Sequence, residues 1–291
     1  MMKQIHLKSR AKINLSLDVL KKRDDGYYEV EMVMQQINLY DNVYINKRDD
    51  NQIKIATNCE YIPVNASNIA YKAADRLRKT AGVSKGVDIY IDKKIPVSAG
   101  LAGGSSNAAA VLEGLNRLWD LGLSKNELMD IGANIGADVP FCILGGTALA
   151  KGRGEKLTAI KPAIRNIWIV LAKPPISIST GEIYRQLDLS KITDRPDTTA
   201  LVDAVERGNI YDMLDNMGNV LESVTEAKHP IITEIKRKMV EYNCLGSKMS
   251  GSGPTVFGIC KNYKRAKATY RHLSLLYRQV YMVQTYNGGN R

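Results

Sequence analysis

Strict alternation of apolar and polar residues marks the start of the chain. From Ala11 to Val19, odd positions carry small or apolar residues and even positions carry Lys12, Asn14, Ser16 and Asp18. This period of two predicts a β-strand with one face in the core and one face in water. A turn is then expected at Asp24–Gly26, and further strands are expected at Val30–Leu39, Asn42–Asn46, Gln52–Ala56 and Val87–Ile91.

Helical spacing of apolar residues dominates the next part of the chain. Helices are predicted at Asn68–Ala81 with Ser67 as N-cap, from Ala108 to about Asp120, and at Ser124–Ile135. Glu127 lies three residues after Ser124, which is the spacing of a capping box. Two short apolar runs, Phe141–Leu144 and Thr147–Ala150, are expected to form a β-hairpin around Gly145 and Gly146.

The second half of the chain starts after a link expected at Lys161–Asn166. Strands are predicted at Ile167–Ala172, Thr255–Cys260 and Gln279–Thr285, and helices at Gly181–Leu187, Thr198–Arg207, Ile210–Met217, Pro230–Tyr242 and Tyr263–Leu276. A second Gly/Ser loop, Ser247–Pro254, precedes one of these strands. The regular strand–helix repeat of a doubly wound sheet is not seen. We therefore predict an α+β fold with two domains, 1–162 and 163–291.

Composition and charge narrow the function classes. The 291-residue chain has a net charge of +11, which suits either nucleic acid or a small anionic substrate. No apolar run approaches the roughly 20 residues of a membrane span, and the N-terminus has no signal-peptide core, so a cytoplasmic protein is expected. Four scattered cysteines and three histidines show no ligand spacing, which argues against a zinc site or a disulfide framework.

The segment Pro96–Ser106 is the strongest candidate for chemistry. It is rich in Gly and Ser, follows a predicted strand and precedes a predicted helix. Unpaired backbone N–H groups at a helix start, together with the helix dipole, form a site for phosphate. It matches neither the Walker A nor the Rossmann spacing. The other interpretation is an ordinary loop in which Ser105 or Ser106 serves only as an N-cap.

Three segments together resemble the motifs of the GHMP kinases, a family of small-molecule kinases named for galactokinase, homoserine, mevalonate and phosphomevalonate kinase. They are Ala11–Leu17, Pro96–Ser106 and Ser250–Pro254, in that order. Arg23–Tyr27, Gly136–Pro140 and Gly146–Glu155 are similar to the branch that phosphorylates 4-diphosphocytidyl-2-C-methyl-D-erythritol, an intermediate of the non-mevalonate isoprenoid pathway. The resemblance extends from Ala11 to about Gly258.

This resemblance implies a fold and a reaction. The fold has a ribosomal-protein-like N-terminal domain that binds ATP and a ferredoxin-like C-terminal domain. The reaction is ATP- and Mg²⁺-dependent phosphorylation of the 2-hydroxyl of the substrate. The expected partner is this small molecule, without nucleic acid or membrane, and the protein is expected to be a monomer or a homodimer. The alternatives are a sister kinase of homoserine, mevalonate or another small alcohol, and a basic nucleic-acid-binding protein.

By the same resemblance, Asp138 is the base that takes the substrate's proton and Lys12 lies beside it. ATP is expected at Asn68, Pro96, Val97, Ser98, Ala99, Gly100, Leu101, Ala102, Gly103, Gly104, Ser105 and Ser106, and the substrate at Asn14, Tyr27, Tyr28, Tyr184, Gly251, Ser252 and Gly253.

Residues alone leave simpler roles open for several of these positions. Asp138 precedes Val139 and Pro140, as an N-cap would, and Asn68 could equally cap a helix. Lys12 could be solvated on an exposed strand face, and the tyrosines could be core aromatics. Tyr28 stands where the family usually has His, which helps to recognise cytosine, so the detail of base recognition is altered here.

Overall fold

The computed structural model describes residues 4–162 and 165–288, and it has an α+β fold, as predicted. The strands are β1 (Gln4–Lys22), β2 (Tyr28–Arg48), β3 (Ile53–Thr57), β4 (Gly86–Asp92), β5 (Thr147–Lys151), β6 (Lys156–Ile160), β7 (Trp168–Lys173), β8 (Gly218–Asn219), β9 (Gly246–Met249), β10 (Val256–Cys260) and β11 (Gln279–Gln284). The helices are α1 (Ile69–Thr80), α2 (Gly103–Leu118), α3 (Lys125–Ala133), α4 (Val139–Leu144), α5 (Thr180–Gln186), α6 (Thr198–Arg207), α7 (Ile210–Asn216), α8 (Glu222–Lys228), α9 (Ile231–Glu241) and α10 (Tyr263–Ser274), with a 3₁₀ turn at Leu189–Lys191. Across this described part of the chain, none of the helices combines the length and apolar character that a membrane crossing requires.

The first sheet carries the N-terminal half. Its main path runs β3–β4–β2–β1–β8, and β5 pairs with β2 and with β6. Helices α1 to α3 cover one face through a shared apolar cluster with β1, β2 and β4. Close approach of α2 to this sheet depends on Gly114, where an added Cβ would lie 2.4 Å from the Cδ1 of Ile45. Gly114 therefore lets the C-terminal half of α2 lie close to the sheet.

The second sheet, in the order β11–β7–β10–β9, is antiparallel among its described strands. Helices α9 and α10 cover it on one side. A further apolar cluster joins its other side to the first sheet, with Ile13 of β1, Leu101 of the Gly-rich segment and Phe257 of β10 all fully or almost fully buried. This packing places the end of β9 and the start of β10 against the Gly-rich segment.

Strand β1 differs from the sequence expectation in its second face. All residues from Ala11 to Val19 are buried, including the polar positions that were expected to face water. Two contacts come from the other half of the chain: Arg195 pairs with the Asp18 carboxylate on the polar face, and β8 pairs with the edge of β1 at Ser16 and Leu17. The alternation is therefore that of a strand buried on both faces, one apolar and one polar.

Strand β2 was expected as two strands separated at Tyr40 and Asp41, but it is continuous. Aspartate is usually unfavourable in a strand. Here the fully buried carboxylate of Asp41 accepts hydrogen bonds from the backbone N–H groups of Lys94 and Ile95, both at 2.7 Å. Tertiary hydrogen bonds therefore outweigh the local preference.

The hairpin expected at 141–150 is wrong. Phe141–Leu144 belongs to helix α4, with Pro140 in its first turn, and β5 pairs instead with β2 and with β6, which the sequence analysis missed. A short apolar run fits a buried helix and a buried strand equally well, so the sequence pattern did not distinguish the two. Strand β9 and helix α8 were also missed.

Two smaller expectations also need correction or remain open. The N-cap of α1 is Asn68, whose side chain accepts from the Ala70 N–H, and not Ser67. The expected link at 161–166 includes residues 163 and 164, which lie outside the described residues, as does the boundary between 162 and 163.

Candidate active site

A cleft of about 960 Å³ runs between the two halves of the chain. Its floor and walls come from β1, the turn after β1, the Gly-rich segment, the start of α4, α5 and the loop between β9 and β10. Most sequence-predicted site residues line this cleft; Asn14, Ser106 and Gly253 do not, and lie beside residues that do. Chain segments more than a hundred residues apart in sequence are thus brought to one site.

The Gly-rich segment presents open backbone donors to the cleft. Ser98, Gly100 and Ala102 have φ angles of 51°, 73° and 54°, so the backbone turns sharply before α2 begins at Gly103. No side chain caps α2, and neither Ser105 nor Ser106 is its N-cap. The N–H groups of the first turn, with the positive end of the helix dipole, therefore suit an anionic ligand such as phosphate.

The hydroxyl of Ser106 is occupied within the protein. It lies 2.7 Å from the Ser9 hydroxyl and donates to the Gly103 carbonyl at 3.0 Å. Asn107, the next residue, donates both to Ser9, at 2.9 Å, and to the Asp41 carboxylate, at 2.8 Å. Ser106 thus fastens the start of α2 to β1, whereas Ser105 lines the cleft.

Asp41 anchors the entry to the Gly-rich segment, a role that the sequence analysis missed. Besides the two backbone N–H groups and Asn107, its carboxylate pairs with the Lys93 ammonium, which lines the cleft. A fully buried carboxylate is stable only when such partners surround it. Nothing in the sequence near Asp41 indicates this, because every partner comes from residues 93–107.

Asp138 and Lys12 face each other across the cleft floor. The Lys12 ammonium lies 3.8 Å from the Asp138 carboxylate, with side chains 6% and 30% exposed. Lys12 also donates to the Asn14 amide oxygen at 2.6 Å, and Asn14 contacts the sulfur of Met32. Asp138 precedes α4 but makes no capping hydrogen bond, so its carboxylate is available to the cleft. Lys12 is buried, which excludes the solvated-surface interpretation.

The loop between β9 and β10 packs directly on the Gly-rich segment. Ser250 donates its hydroxyl proton to the Gly100 carbonyl at 2.9 Å, and an added Cβ at Gly100 would lie 2.2 Å from the Ser250 carbonyl oxygen. Asn219 of β8, also missed from sequence, donates to the carbonyls of Met249 and Gly251 at 2.9 and 2.8 Å. Ser252 is hydrogen bonded to Thr180 of α5 at 2.8 Å. These contacts fix the position of the β9–β10 loop relative to the Gly-rich segment and α5.

Aromatic side chains form the other end of the cleft. Tyr27 is 58% exposed, while the rings of Tyr28 and Tyr184 lie 5.2 Å apart at 43°. Burial, and secondly the negative charge of Asp138, raise the pKa of Tyr184, so its hydroxyl stays protonated. The exposed face of Tyr27 suits stacking on a flat ring.

The turn that carries Tyr27 is held by Arg23. Its guanidinium pairs with Asp25 and with Glu29, at 3.1 and 2.6 Å, and these hydrogen bonds lower the pKa of both carboxyls. Asp25 also accepts the Tyr27 N–H at 3.1 Å. These contacts hold the Arg–Asp–Asp–Gly–Tyr segment in a turn that places the Tyr27 ring at the cleft.

Asn68 lies on the cleft wall, but its side chain is already engaged. The amide oxygen caps α1, and the amide nitrogen donates to the Pro63 carbonyl at 2.6 Å. The capping interpretation therefore describes the side chain as it stands in the structure.

Comparison with known proteins identifies the family of the chain. The family of GHMP kinases matches through its N terminal domain at residues 68–146 and its C terminal domain at residues 201–279. A curated 4-diphosphocytidyl-2-C-methyl-D-erythritol kinase from Alkaliphilus oremlandii is 68% identical, with 99% of each chain covered. A crystal structure of 4-(cytidine 5'-diphospho)-2C-methyl-D-erythritol kinase superposes with a TM-score of 0.82 at 29% identity, covering 98% of this chain and 100% of that one.

A homoserine kinase from Cytophaga hutchinsonii superposes with a TM-score of 0.79 at 18% identity, covering 99% of this chain and 97% of that one, so it shares the fold alone. The chain belongs to the GHMP kinases, and within them to the family of 4-diphosphocytidyl-2-C-methyl-D-erythritol kinases.

Proposed function

We propose that this chain transfers the γ-phosphoryl group of ATP to the 2-hydroxyl of 4-diphosphocytidyl-2-C-methyl-D-erythritol. The observation that carries the proposal is one cleft with three parts: an open-donor loop at the start of α2, an acid–lysine pair, and a wall of tyrosines. These parts suit a triphosphate, a reacting hydroxyl and a nucleobase. The relative that is 68% identical over 99% of each chain is named as a kinase of this substrate, which supports the proposal. Because the homoserine kinase shares only the fold, the fold by itself does not favour a sister activity.

The chemistry follows from the acid–lysine pair. The Asp138 carboxylate accepts the proton of the substrate's 2-hydroxyl as that oxygen forms a bond to the γ-phosphorus. The bond from the γ-phosphorus to the bridging oxygen breaks, and ADP leaves with the electron pair. Lys12 stabilises negative charge that develops between the attacking oxygen and the transferring group. Lys12 is itself held in place by Asn14.

The Gly-rich segment holds the ATP phosphates through backbone N–H groups, and its contact with Ser250 keeps it in position. Mg²⁺ prefers oxygen ligands and is bound largely through substrate phosphates. The Ser105 hydroxyl, which lines the cleft at the start of α2, is the side chain that would hold it. When bound, the ion supplies positive charge that neutralises the phosphate oxygens.

The tyrosines bind the cytosine end of the substrate. Tyr27 supplies an exposed π-face for stacking, and Tyr28 with Tyr184 closes the pocket. Tyr28 has one hydroxyl that can donate and accept at the edge of the base, in place of an imidazole. Because ATP is the phosphoryl donor and is held inside cells, we also place the reaction in the cytoplasm.

Phosphorus NMR of the product tests the proposal. The carbon at position 2 bears a methyl group and no hydrogen, so a phosphate ester on its oxygen gives a monoester signal without three-bond coupling to a proton. Phosphorylation at a neighbouring hydroxyl would give a split signal. An uncoupled monoester signal is expected together with the two diphosphate signals. A split signal, or no monoester with folded protein and bound ATP, would contradict the proposed reaction.

A further inference from the structure

Four cationic side chains line the cleft within the described residues: Lys12, Lys93, Arg153 and Arg185. Two of them already face a carboxylate, since Lys12 lies opposite Asp138 and Lys93 pairs with Asp41. Arg153 and Arg185 form no ion pair with a described residue; the Nε of Arg185 donates to the Gly181 carbonyl at 3.1 Å. Asp25 attracts Arg153 and Glu182 attracts Arg185 at longer range, but these two carboxylates pair directly with Arg23 and Lys228. Among the described residues, no carboxylate therefore holds either arginine at ion-pair distance.

The backbone of Arg153 is fixed in the turn between β5 and β6. Gly152 and Gly154, on either side, have φ angles of 74° and 111°, which other residues rarely adopt. The Arg153 N–H donates to the Glu155 carboxylate at 2.7 Å. The Gly152 carbonyl accepts the Val30 N–H of β2 at 2.8 Å. This turn is therefore tied to the strand that follows the Tyr27 turn.

The guanidinium of Arg153 lies over the ring of Tyr27, with its central carbon 5.1 Å from the ring centroid. A cation placed over an aromatic face is attracted by the ring quadrupole, which limits the positions that this long side chain samples. A guanidinium so placed still has in-plane N–H donors for oxygen ligands. Arg153 is thus a pre-positioned anion-binding group at the aromatic end of the cleft.

We infer that Arg153 binds the diphosphate of the nucleotide-linked substrate, an assignment that rests on the proposed function. The base stacks at Tyr27 and the reacting hydroxyl lies at Asp138, so the diphosphate between them passes along this wall. Planar guanidinium groups bind phosphate oxygens in pairs, with charge-assisted hydrogen bonds. Arg153 therefore distinguishes a cytidine diphosphate from cytidine alone.

The test replaces Arg153 by Gln, which keeps a polar side chain but is shorter and has no charge. We expect the KM for 4-diphosphocytidyl-2-C-methyl-D-erythritol to rise about tenfold to a hundredfold, because charge-assisted hydrogen bonds are lost. The kcat and the KM for ATP should stay within about twofold, since the ATP phosphates are bound by the Gly-rich segment. Arg153→Lys should recover part of the loss, because it restores charge without the planar fork.

Lys151→Gln is the matched control. Lys151 lies at the end of β5, two residues before Arg153, is 55% exposed, and pairs with Glu31 outside the cleft. Lys151→Gln also removes one positive charge near the cleft, so a general electrostatic effect on KM would appear in both variants. Equal KM changes in Arg153→Gln and Lys151→Gln, or an unchanged KM in Arg153→Gln, would overturn the assignment.

A binding measurement separates this inference from the proposed function. In the unmodified protein, calorimetric titration should show CDP binding more tightly than cytidine, and Arg153→Gln should reduce that preference by the same factor as the KM change. If the unmodified protein does not turn over the substrate, the proposed function fails, while the titration still tests Arg153. If Arg153→Gln prefers CDP over cytidine as strongly as the unmodified protein does, the role of Arg153 is refuted.

Discussion

Asp138 combines two properties that a proton acceptor in this cleft requires. Its carboxylate is partly exposed to the cleft, and a buried lysine lies 3.8 Å away. Asp138→Asn keeps the size of the side chain but removes its ability to accept the proton. We expect kcat to fall by about 10²- to 10⁴-fold, with ATP affinity changed less than about threefold. Steady-state kinetics and ATP titration measure both quantities.

Asp130→Asn is the control for that substitution, because Asp130 is an exposed aspartate on α3. It should leave kcat unchanged. If Asp138→Asn retains near-normal turnover, Asp138 is not the base.

In the proposed function, Tyr28 contacts the base of the cytidine substrate. Its ring packs against Tyr184, and its hydroxyl is the polar group available at this position. Tyr28→His supplies another flat ring with hydrogen-bonding groups, so the KM for the cytidine substrate should stay within about threefold. Tyr28→Leu keeps an apolar contact but loses the polar edge, and KM should rise about tenfold. A large rise for His, or none for Leu, would remove Tyr28 from base recognition.

At the scale of elements, the Gly-rich segment and the β9–β10 loop are in direct contact, and we expect this contact to control phosphoryl transfer. Gly100 has a φ of 73°, and a Cβ there would lie 2.2 Å from the Ser250 carbonyl oxygen. Gly100→Ala must therefore displace one loop from the other. We expect kcat/KM for ATP to fall about a hundredfold, since small misplacements of reacting groups have effects of this size.

Gly122→Ala separates that displacement from backbone strain. Gly122 has a similar φ of 66°, but nothing lies within 4 Å of its added Cβ. Backbone strain should cost each variant on the order of 1 kcal/mol, measured by urea unfolding, and Gly100→Ala should lose more stability because of its added clash. Equal activity in the two variants would show that the loop contact does not control transfer.

Elements with strong local signals were predicted well from the sequence. Helix α6 has the predicted bounds, and the capping box of Ser124 and Glu127 is present at α3. The region 141–150 was predicted wrongly, because a run of four apolar residues fits a buried helix and a buried strand equally. The polar face of β1 was assigned to water because alternation does not show what later covers that face.

At the scale of the whole molecule, the site too has residues that local sequence signals indicate and residues that only distant contacts reveal. Motif resemblance located the loop, the acid and the tyrosines, because those residues are adjacent to recognisable segments. It did not indicate Asp41, Asn219 or Arg153, whose importance comes from partners distant in sequence. Tertiary contacts of this kind become visible only once both sheets are assembled.

The apolar cluster shared by the two sheets joins the two halves of the chain, and the cleft lies where they meet. The domain boundary at 162/163 and the monomer or homodimer state stay predictions. Light scattering of the purified protein measures the oligomeric state directly.

Release of ADP by the purified protein tests the central claim most directly. With ATP, Mg²⁺ and 4-diphosphocytidyl-2-C-methyl-D-erythritol, we expect steady turnover that CDP inhibits competitively against the alcohol substrate. Homoserine and mevalonate should give no turnover above the ATPase background. Turnover with either of these alcohols, and none with the cytidine substrate, would contradict the account.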